Sequence, residues 1–183
     1  MVWSAYADEE ALLTGTVLGG ELTGVRGDAP VIGVYFNDGS QSKMGYYLAA
    51  DVNAATTQCR PDSSQAVTVR VGLTSTAPPD AASLPTYISG GRTVPAGQMR
   101  MNVLVYAPAG GLIDDVRVEG AEPGVHSQAH EGLNVVGKTI VLAPGQSVVL
   151  EYDLVSGQGQ RAEPMLRTTP LAKLTTSVTG TEC

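Results

Sequence analysis

Two histidines have the spacing in this chain that comes closest to a reactive site. His126 and His130 lie four residues apart, and Glu131 follows directly. On a helix this spacing puts both imidazoles on one face, where with the carboxylate near they could bind Zn²⁺. The Pro-Gly pair before them and the Gly after them favour a loop with two solvated imidazoles instead. We therefore expect no metal site, and a metal-dependent hydrolase is the remotest of the alternatives for function.

The other residues that could do chemistry form no recognised hydrolase or calcium-binding motif. The sequence has no nucleophile elbow, HExxH motif or EF-hand calcium loop. Asp114 and Asp115 could suggest a divalent-cation site. Neighbouring residues on a strand point to opposite faces, so these two carboxylates cannot chelate one ion together. We predict a protein that is not an enzyme and that uses no cofactor.

One segment, residues 37–47, is the richest in polar and aromatic character. Tyrosines supply contact area at a low cost in conformational entropy, and lysines are rare in this chain. We single out a candidate binding loop formed by Asn37, Asp38, Lys43, Tyr46 and Tyr47. The alternative is a hairpin turn whose tyrosines enter the edge of the core.

The two cysteines, Cys59 and Cys183, are predicted to form a disulfide that ties the C-terminus to the body. A terminal thiol is a liability unless it is paired, and an acidic, lysine-poor, threonine-rich chain has the composition of an exported protein. The residues after Pro170 offer few apolar side chains to hold the tail down. The alternative is two free thiols, one of them on a frayed end.

The elements that must position these residues are short strands. Alternating apolar residues and frequent turn signals predict seven to nine of them. The clearest lie at 31–36, 46–55, 66–74, 99–106, 116–118, 139–142, 147–155 and 165–168. The sequence Ala143-Pro144-Gly145-Gln146 predicts a hairpin between the sixth and seventh of these.

This pattern predicts an all-β, two-sheet antiparallel sandwich, immunoglobulin-like or jelly-roll-like, with one short N-terminal helix at 7–18 capped by Asp8. The expected division is a helix and linker at 1–30, a sandwich at 31–174 and a tail at 175–183. The predicted core comprises Val34, Leu48, Val52, Val69, Val71, Val103, Val105, Val116, Val141, Leu150, Tyr152 and Leu154.

Charge and hydropathy narrow the choice of partner. The formal net charge is −7 and the pI is about 4.7, which argues against nucleic acid or an anionic membrane surface. No run of 18 apolar residues is present, so we expect no direct membrane insertion by this segment. No signal peptide is recognisable, so we expect any exporting segment to lie outside this chain.

Six segments carry a resemblance to a known family. They are Trp3-Ser4-Ala5 and the stretches 34–39, 42–48, 73–78, 102–108 and 166–170. Together they resemble the C-terminal part of domain-of-unknown-function family four thousand and twelve, whose members are membrane-anchored or exported bacterial proteins. The resemblance implies an extracellular or cell-surface location, and a large N-terminal part with an anchor outside this chain. It supplies no catalytic residue.

The leading hypothesis for function is a non-catalytic, extracytoplasmic structural or interaction module of the cell envelope. Its partner would be a protein or a cell-wall polymer. The alternative is a carbohydrate-binding module of the cell surface. Such sandwiches usually present several exposed aromatic rings, whereas aromatic residues make up only 5% of this chain and most tyrosines lie in strand-like segments.

Overall fold

Alternation of apolar and polar residues organises about half of the chain into strands, as a computed structural model shows. The structure describes residues 2–14, 16, 18–121, 124–180 and 183. The strands are β1 (Val25–Arg26), β2 (Ala29–Asp38), β3 (Leu48–Cys59), β4 (Gln65–Ser75), β5 (Met99–Tyr106), β6 (Leu112–Glu119), β7 (His126–His130), β8 (Leu133–Leu142), β9 (Ser147–Val155), β10 (Met165–Thr168) and β11 (Lys173–Thr179). Helices α1 (Ala7–Leu13) and α2 (Thr86–Ser89) and 3₁₀ turns at Met44–Tyr47 and Ala81–Ser83 complete the described elements.

The strands form two sheets, which confirms the predicted sandwich. The first sheet has the order β1-β2-β5-β8-β7, with β10 also paired to β2. The second has the order β11-β3-β4-β9-β6. Among the described residues, β10 pairs with β2 and β11 pairs with β3 in parallel, whereas the other pairings are antiparallel. Short turns mark antiparallel neighbours, but no local signal gives the direction of a strand that returns from a distance.

The core lies between the two sheets and is filled mainly by the inward positions of β2, β3, β4, β5, β8 and β9. Ten of the twelve predicted core residues are buried. Val116 is only half-buried, because β6 is an edge strand. Val141 is 41% exposed, because its neighbours Ile140 and Leu142 occupy the inner face of β8 and alternation turns Val141 outward.

The turn predicted at 143–146 is present, but it does not connect two paired strands. Gly145 has a positive φ of 75°, and the Gln146 amide donates to the Ala143 carbonyl at 3.0 Å. However, β8 and β9 belong to different sheets, so the expected hairpin is wrong. The turn also exchanges backbone hydrogen bonds with Ser75 at the end of β4. Turn residues specify that the chain reverses, whereas the choice of pairing partner depends on the whole sheet.

The N-terminal helix is shorter than predicted and ends at Leu13. Tyr6, not Asp8, occupies its N-cap position, and no side chain caps the helix. None of its residues is buried, and Leu12 is 79% exposed. Part of the expected linker contributes to β1 and β2, and residues 175–179 of the expected tail lie in β11.

The largest fully buried side chain among the described residues is that of Tyr152, on the inner face of β9. Its hydroxyl has no hydrogen-bond partner within the part of the chain that the structure describes. Burial raises the pKa of this phenol, so the group stays neutral. A buried hydroxyl without a partner carries a desolvation cost that its ring packing must offset.

We therefore expect Tyr152→Phe to leave the free energy of unfolding unchanged or to raise it by up to about 1 kcal/mol, because the phenylalanine ring keeps the packing and removes the unpaired hydroxyl. Urea unfolding followed by circular dichroism measures this difference. A loss of more than about 1 kcal/mol would show that the hydroxyl makes a stabilising hydrogen bond.

Candidate functional site

The outer face of the second sheet carries a cluster of ion pairs where β6 lies beside β9. Arg117 on β6 contacts Asp115 at 2.8 Å and Asp153 on β9 at 2.5 Å. The hydrogen bond from Arg117 lowers the pKa of the Asp153 carboxyl, and Thr68 adds a second hydrogen bond at 2.8 Å. A register shift between Ile113 and Asp115 accompanies this arrangement. Asp115, considered above for a cation site with Asp114, thus has an arginine partner.

The outer face of the first sheet has an apolar centre instead. The positions that alternate with the core residues of β2, β5 and β8 are occupied by Val31, Gly33, Tyr35, Leu104, Tyr106, Leu133, Val135 and Gly137. Three of them, Val31, Leu133 and Val135, are at least 95% buried although they point away from the core. Another part of the chain must therefore cover them.

Residues 20–24, which we call the strap, contact this face. The Gly24 carbonyl accepts hydrogen bonds from the Val31 amide at 3.0 Å and from the Ala109 amide at 2.9 Å. Gly24 has a φ of 72°, and a Cβ added there would lie 2.5 Å from the Ala109 nitrogen, so only glycine fits. The Arg167 guanidinium donates to the Glu21 carbonyl at 2.7 Å. The strap is thereby fixed at both of its ends.

Leu22 of the strap packs over Gly33 of β2. A Cβ added to Gly33 would lie 2.9 Å from Leu22 Cδ2 and 2.7 Å from Tyr35 Cε2. Because the φ of Gly33 is not in the left-handed region, space rather than backbone conformation requires glycine here. The absent side chain lets Leu22 and the Tyr35 ring lie close to the sheet.

Beside the strap lies a cavity of about 240 Å³, which we call the aromatic cleft. It is lined by Gly20, Glu21 and Leu22 of the strap, by Tyr35, Tyr106 and Leu133 of the sheet, and by His130 and Glu131 at the end of β7. The Tyr35 and Tyr106 rings meet edge to face, with centroids 5.6 Å apart. The Tyr106 and His130 rings do the same at 5.9 Å. Three rings thus stand in series beside the cleft.

Neighbouring residues determine the protonation, the contacts and the backbone position of the polar groups in the cleft. Partial burial raises the pKa of Tyr35, an effect that Arg167 opposes and Tyr106 reinforces, so this phenol is a hydrogen-bond donor at neutral pH. The Tyr106 hydroxyl lies 3.5 Å from His130 Nδ1. Glu131 and Gly132 have φ values of 49° and 78° and form the two-residue turn between β7 and β8. This tight turn fixes the backbone of Glu131 at the cleft.

The predicted arrangement of the two histidines is wrong in its local structure. His126 and His130 lie in strand β7, neither on a helix nor in a loop. Both face the outer side of the first sheet, opposite Gly137 and Leu133. Four residues along a strand separate them by about 13 Å, too far to share one ion. The described residues contain no group of three or more His, Cys, Asp and Glu side chains that could hold a metal ion.

The candidate loop predicted from sequence lies at the other end of β2. Asn37 and Asp38 end this strand, and Lys43 precedes the 3₁₀ turn that carries Tyr46 and Tyr47. The loop is well braced: Asp38 Oδ1 accepts from the Ser40 amide at 2.7 Å, and the Lys43 amide donates to the Ile88 carbonyl at 3.1 Å. None of its five candidate residues lines the aromatic cleft.

Within this loop the two tyrosines behave differently. Tyr47 is half-buried against the core, as the alternative interpretation expected, whereas Tyr46 is 68% exposed. Their rings meet edge to face at 5.3 Å. A binding role for Asn37, Asp38, Lys43, Tyr46 and Tyr47 stays a prediction.

The predicted disulfide is confirmed. Cys59 and Cys183 are bonded, and their Cα atoms are 5.4 Å apart. The bond joins the end of β3 to the chain just beyond β11, which pairs with β3 from Lys173 to Thr179. Stable disulfides are characteristic of oxidising compartments, so this bond is consistent with an exported protein. No helix among the described residues is long and apolar enough to cross a membrane.

Comparison with known proteins adds little to this description. No family model and no curated protein match the chain. Among solved structures, a candidate nutrient-binding protein from Legionella pneumophila aligns with 10% identity and a TM-score of 0.36. The alignment covers 76% of this chain but only 54% of the other, so this chain spans about half of that protein's length. A likeness this low carries no conclusion about function.

Proposed function

We propose that this chain is a non-catalytic interaction module of an exported cell-envelope protein and that the aromatic cleft is its binding surface. The observation that carries the proposal is the series of three rings, Tyr35, Tyr106 and His130, beside a cavity that the strap and the sheet hold open. Tyrosines at the centre of a pocket are the kind of side chain that contributes most to binding.

The contrast between the two outer faces supports this choice of surface. On the second sheet, Arg117 already pairs with Asp115 and Asp153. A ligand there would have to replace interactions that exist in the free protein. On the first sheet, apolar and aromatic side chains border an open cavity, so a ligand would gain contacts without breaking an ion pair.

The groups in the cleft favour binding over the hydrolase alternative. The Tyr106 hydroxyl, and not a serine nucleophile, faces the His130 ring at 3.5 Å from Nδ1. His126 lies too far along β7 to complete a metal site with it. The disulfide supports a location outside the cytoplasm, which is the location that the family resemblance implies.

Retention of the purified domain on immobilised cell-wall polymers and surface proteins tests the proposal. We expect the wild-type domain to be retained and Tyr106→Ala to reduce the affinity at least about tenfold, because the middle ring of the series is lost. His130→Ala, at an exposed position with little risk to folding, should weaken binding in the same direction.

Tyr87→Ala is the matched control, because Tyr87 is 71% exposed on α2 and does not line the cleft. Its retention should equal that of the wild type. No retention of the wild-type domain at any concentration tried would contradict the proposal. So would equal losses in the Tyr87→Ala and Tyr106→Ala variants with both still folded by circular dichroism.

A further inference from the structure

We infer that the ligand of the aromatic cleft is one neutral sugar ring of a glycan chain. This inference rests on the proposed function and names the ligand class of the same site. Sugars present an apolar face of C–H groups and a rim of hydroxyls. The cleft offers both complements, since aromatic and leucine side chains form its walls and phenol, imidazole and carboxylate groups stand beside them.

The sheet geometry removes the main objection to a carbohydrate ligand. The placement of most tyrosines in strand-like segments argued against a carbohydrate-binding module. Tyr35 and Tyr106 instead occupy outward positions of β2 and β5, opposite Leu104 and Gly33, and remain half-exposed. A sheet face with an aromatic ring on each of two neighbouring strands is a suitable surface for stacking a sugar, even in a chain with few aromatic residues.

The size of the cleft limits the ligand to one ring. Its volume of about 240 Å³ lies below the roughly 300–1,000 Å³ of sites that hold drug-sized molecules. Leu22, Leu133 and the two tyrosines supply its apolar lining, which is confined to this one small cavity. Further sugar units of the same chain would extend along the open surface.

The polar groups of the cleft are suited to sugar hydroxyls, each of which can donate one hydrogen bond and accept another. The neutral Tyr35 phenol can donate, the paired Tyr106 and His130 can exchange donor and acceptor roles, and the Glu131 carboxylate accepts. A ligand without hydroxyls would leave these groups unpaired on binding, which costs affinity. This requirement favours a sugar over an apolar peptide side chain.

Charge determines which sugars fit. Glu131 stands at the cleft, and the whole chain carries a formal charge of −7. Two glutamates, Glu21 and Glu131, line the cleft and no lysine or arginine does, although the Arg167 charge acts on Tyr35 from outside the lining. Negative potential at the site therefore disfavours uronic acids and other anionic sugars relative to neutral ones.

The site is also ordered before a ligand arrives. Gly24 anchors the strap through two backbone hydrogen bonds, and the Glu131-Gly132 turn fixes the opposite wall. Because the residues of a preformed site lose little conformational entropy when a ligand binds, a small contact area can still give measurable affinity.

Calorimetric titration of the whole chain tests the inference. The ligands are two neutral tetrasaccharides, one of β-1,4-linked glucose and one of β-1,4-linked N-acetylglucosamine, and an anionic oligogalacturonate of equal length. We expect at least one neutral tetrasaccharide to bind at least tenfold more tightly than the oligogalacturonate. Tyr106→Ala should weaken that binding at least tenfold, and His130→Ala several-fold. Tyr106→Phe should retain most of it if ring stacking dominates, and Tyr87→Ala should leave it unchanged.

Two patterns separate failure of the inference from failure of the proposed function. In the first pattern, retention on envelope material depends on Tyr106 but survives periodate oxidation of the glycans, and neither neutral tetrasaccharide binds. The ligand is then not a sugar, which refutes the inference and leaves the proposed function standing. Tighter binding of the oligogalacturonate also overturns the inference. If neither retention nor sugar binding depends on Tyr106, both fall.

Discussion

Replacing Cys59 and Cys183 together with alanine will lower the free energy of unfolding by about 3–5 kcal/mol, because the disulfide closes a loop across a sequence separation of 124 residues. Removing this cross-link restores conformational entropy to the unfolded chain, and long loops have the largest expected effect. Urea unfolding of the double variant and of the wild type measures the difference.

The same substitution should loosen one strand more than the rest. β11 has exposed side chains at most positions, with only Leu174 and Val178 half-buried, so its packing alone holds it weakly to β3. Backbone amides 173–179 should therefore exchange hydrogen much faster in the double variant than in the wild type. Wild-type protein treated with reductant is the control and should behave like the variant. An unchanged urea midpoint together with unchanged protection of these amides would refute this account of the C-terminus.

Leu150→Ala will destabilise the protein by about 2–5 kcal/mol, because a fully buried leucine on the inner face of β9 leaves a cavity when it is truncated. Leu150 pairs with Val71 on one side and with Val118 on the other, so neighbouring strands restrict how far the site can relax. Urea unfolding again provides the measurement.

Leu112→Ala is the matched control for this substitution. Leu112 is the same residue type on the neighbouring strand β6, but it is 46% exposed. Truncation there should cost less than about 1 kcal/mol, because little contact is lost. Equal destabilisation by the two substitutions would mean that Leu150 is not at the centre of a packed core.

The strands and the disulfide could be predicted because their signals are local. Val67, Val69 and Val71 alternate with polar residues, and the observed β4 buries all three. Cys59 has only one possible cysteine partner, so the pairing needed no knowledge of the fold. The exposure of Val141 was predictable in principle from the same alternation, since Ile140 and Leu142 flank it.

The aromatic cleft could not be predicted, because its parts come together only through the order of strands in the sheet. Tyr35 and Tyr106 are far apart in sequence and meet because β2 pairs with β5. His130 joins them because β7 lies beyond β8 in the same sheet. The strap seemed a linker, since its glycines indicate flexibility and nothing local shows that Gly24 is anchored to Ala109. The one usable signal was the Glu131-Gly132 pair, a two-residue hairpin turn.

The most direct test of the binding surface is hydroxyl-radical footprinting of the domain, with and without the envelope polymer that retains it. Mass spectrometry then reports which side chains the ligand covers. The account predicts protection of Tyr35, Tyr106 and His130, with no change at Tyr46 and Tyr87. Protection of Tyr46 and Tyr87 with continued labelling of Tyr106 would contradict it and would place the binding surface at the loop beyond β2.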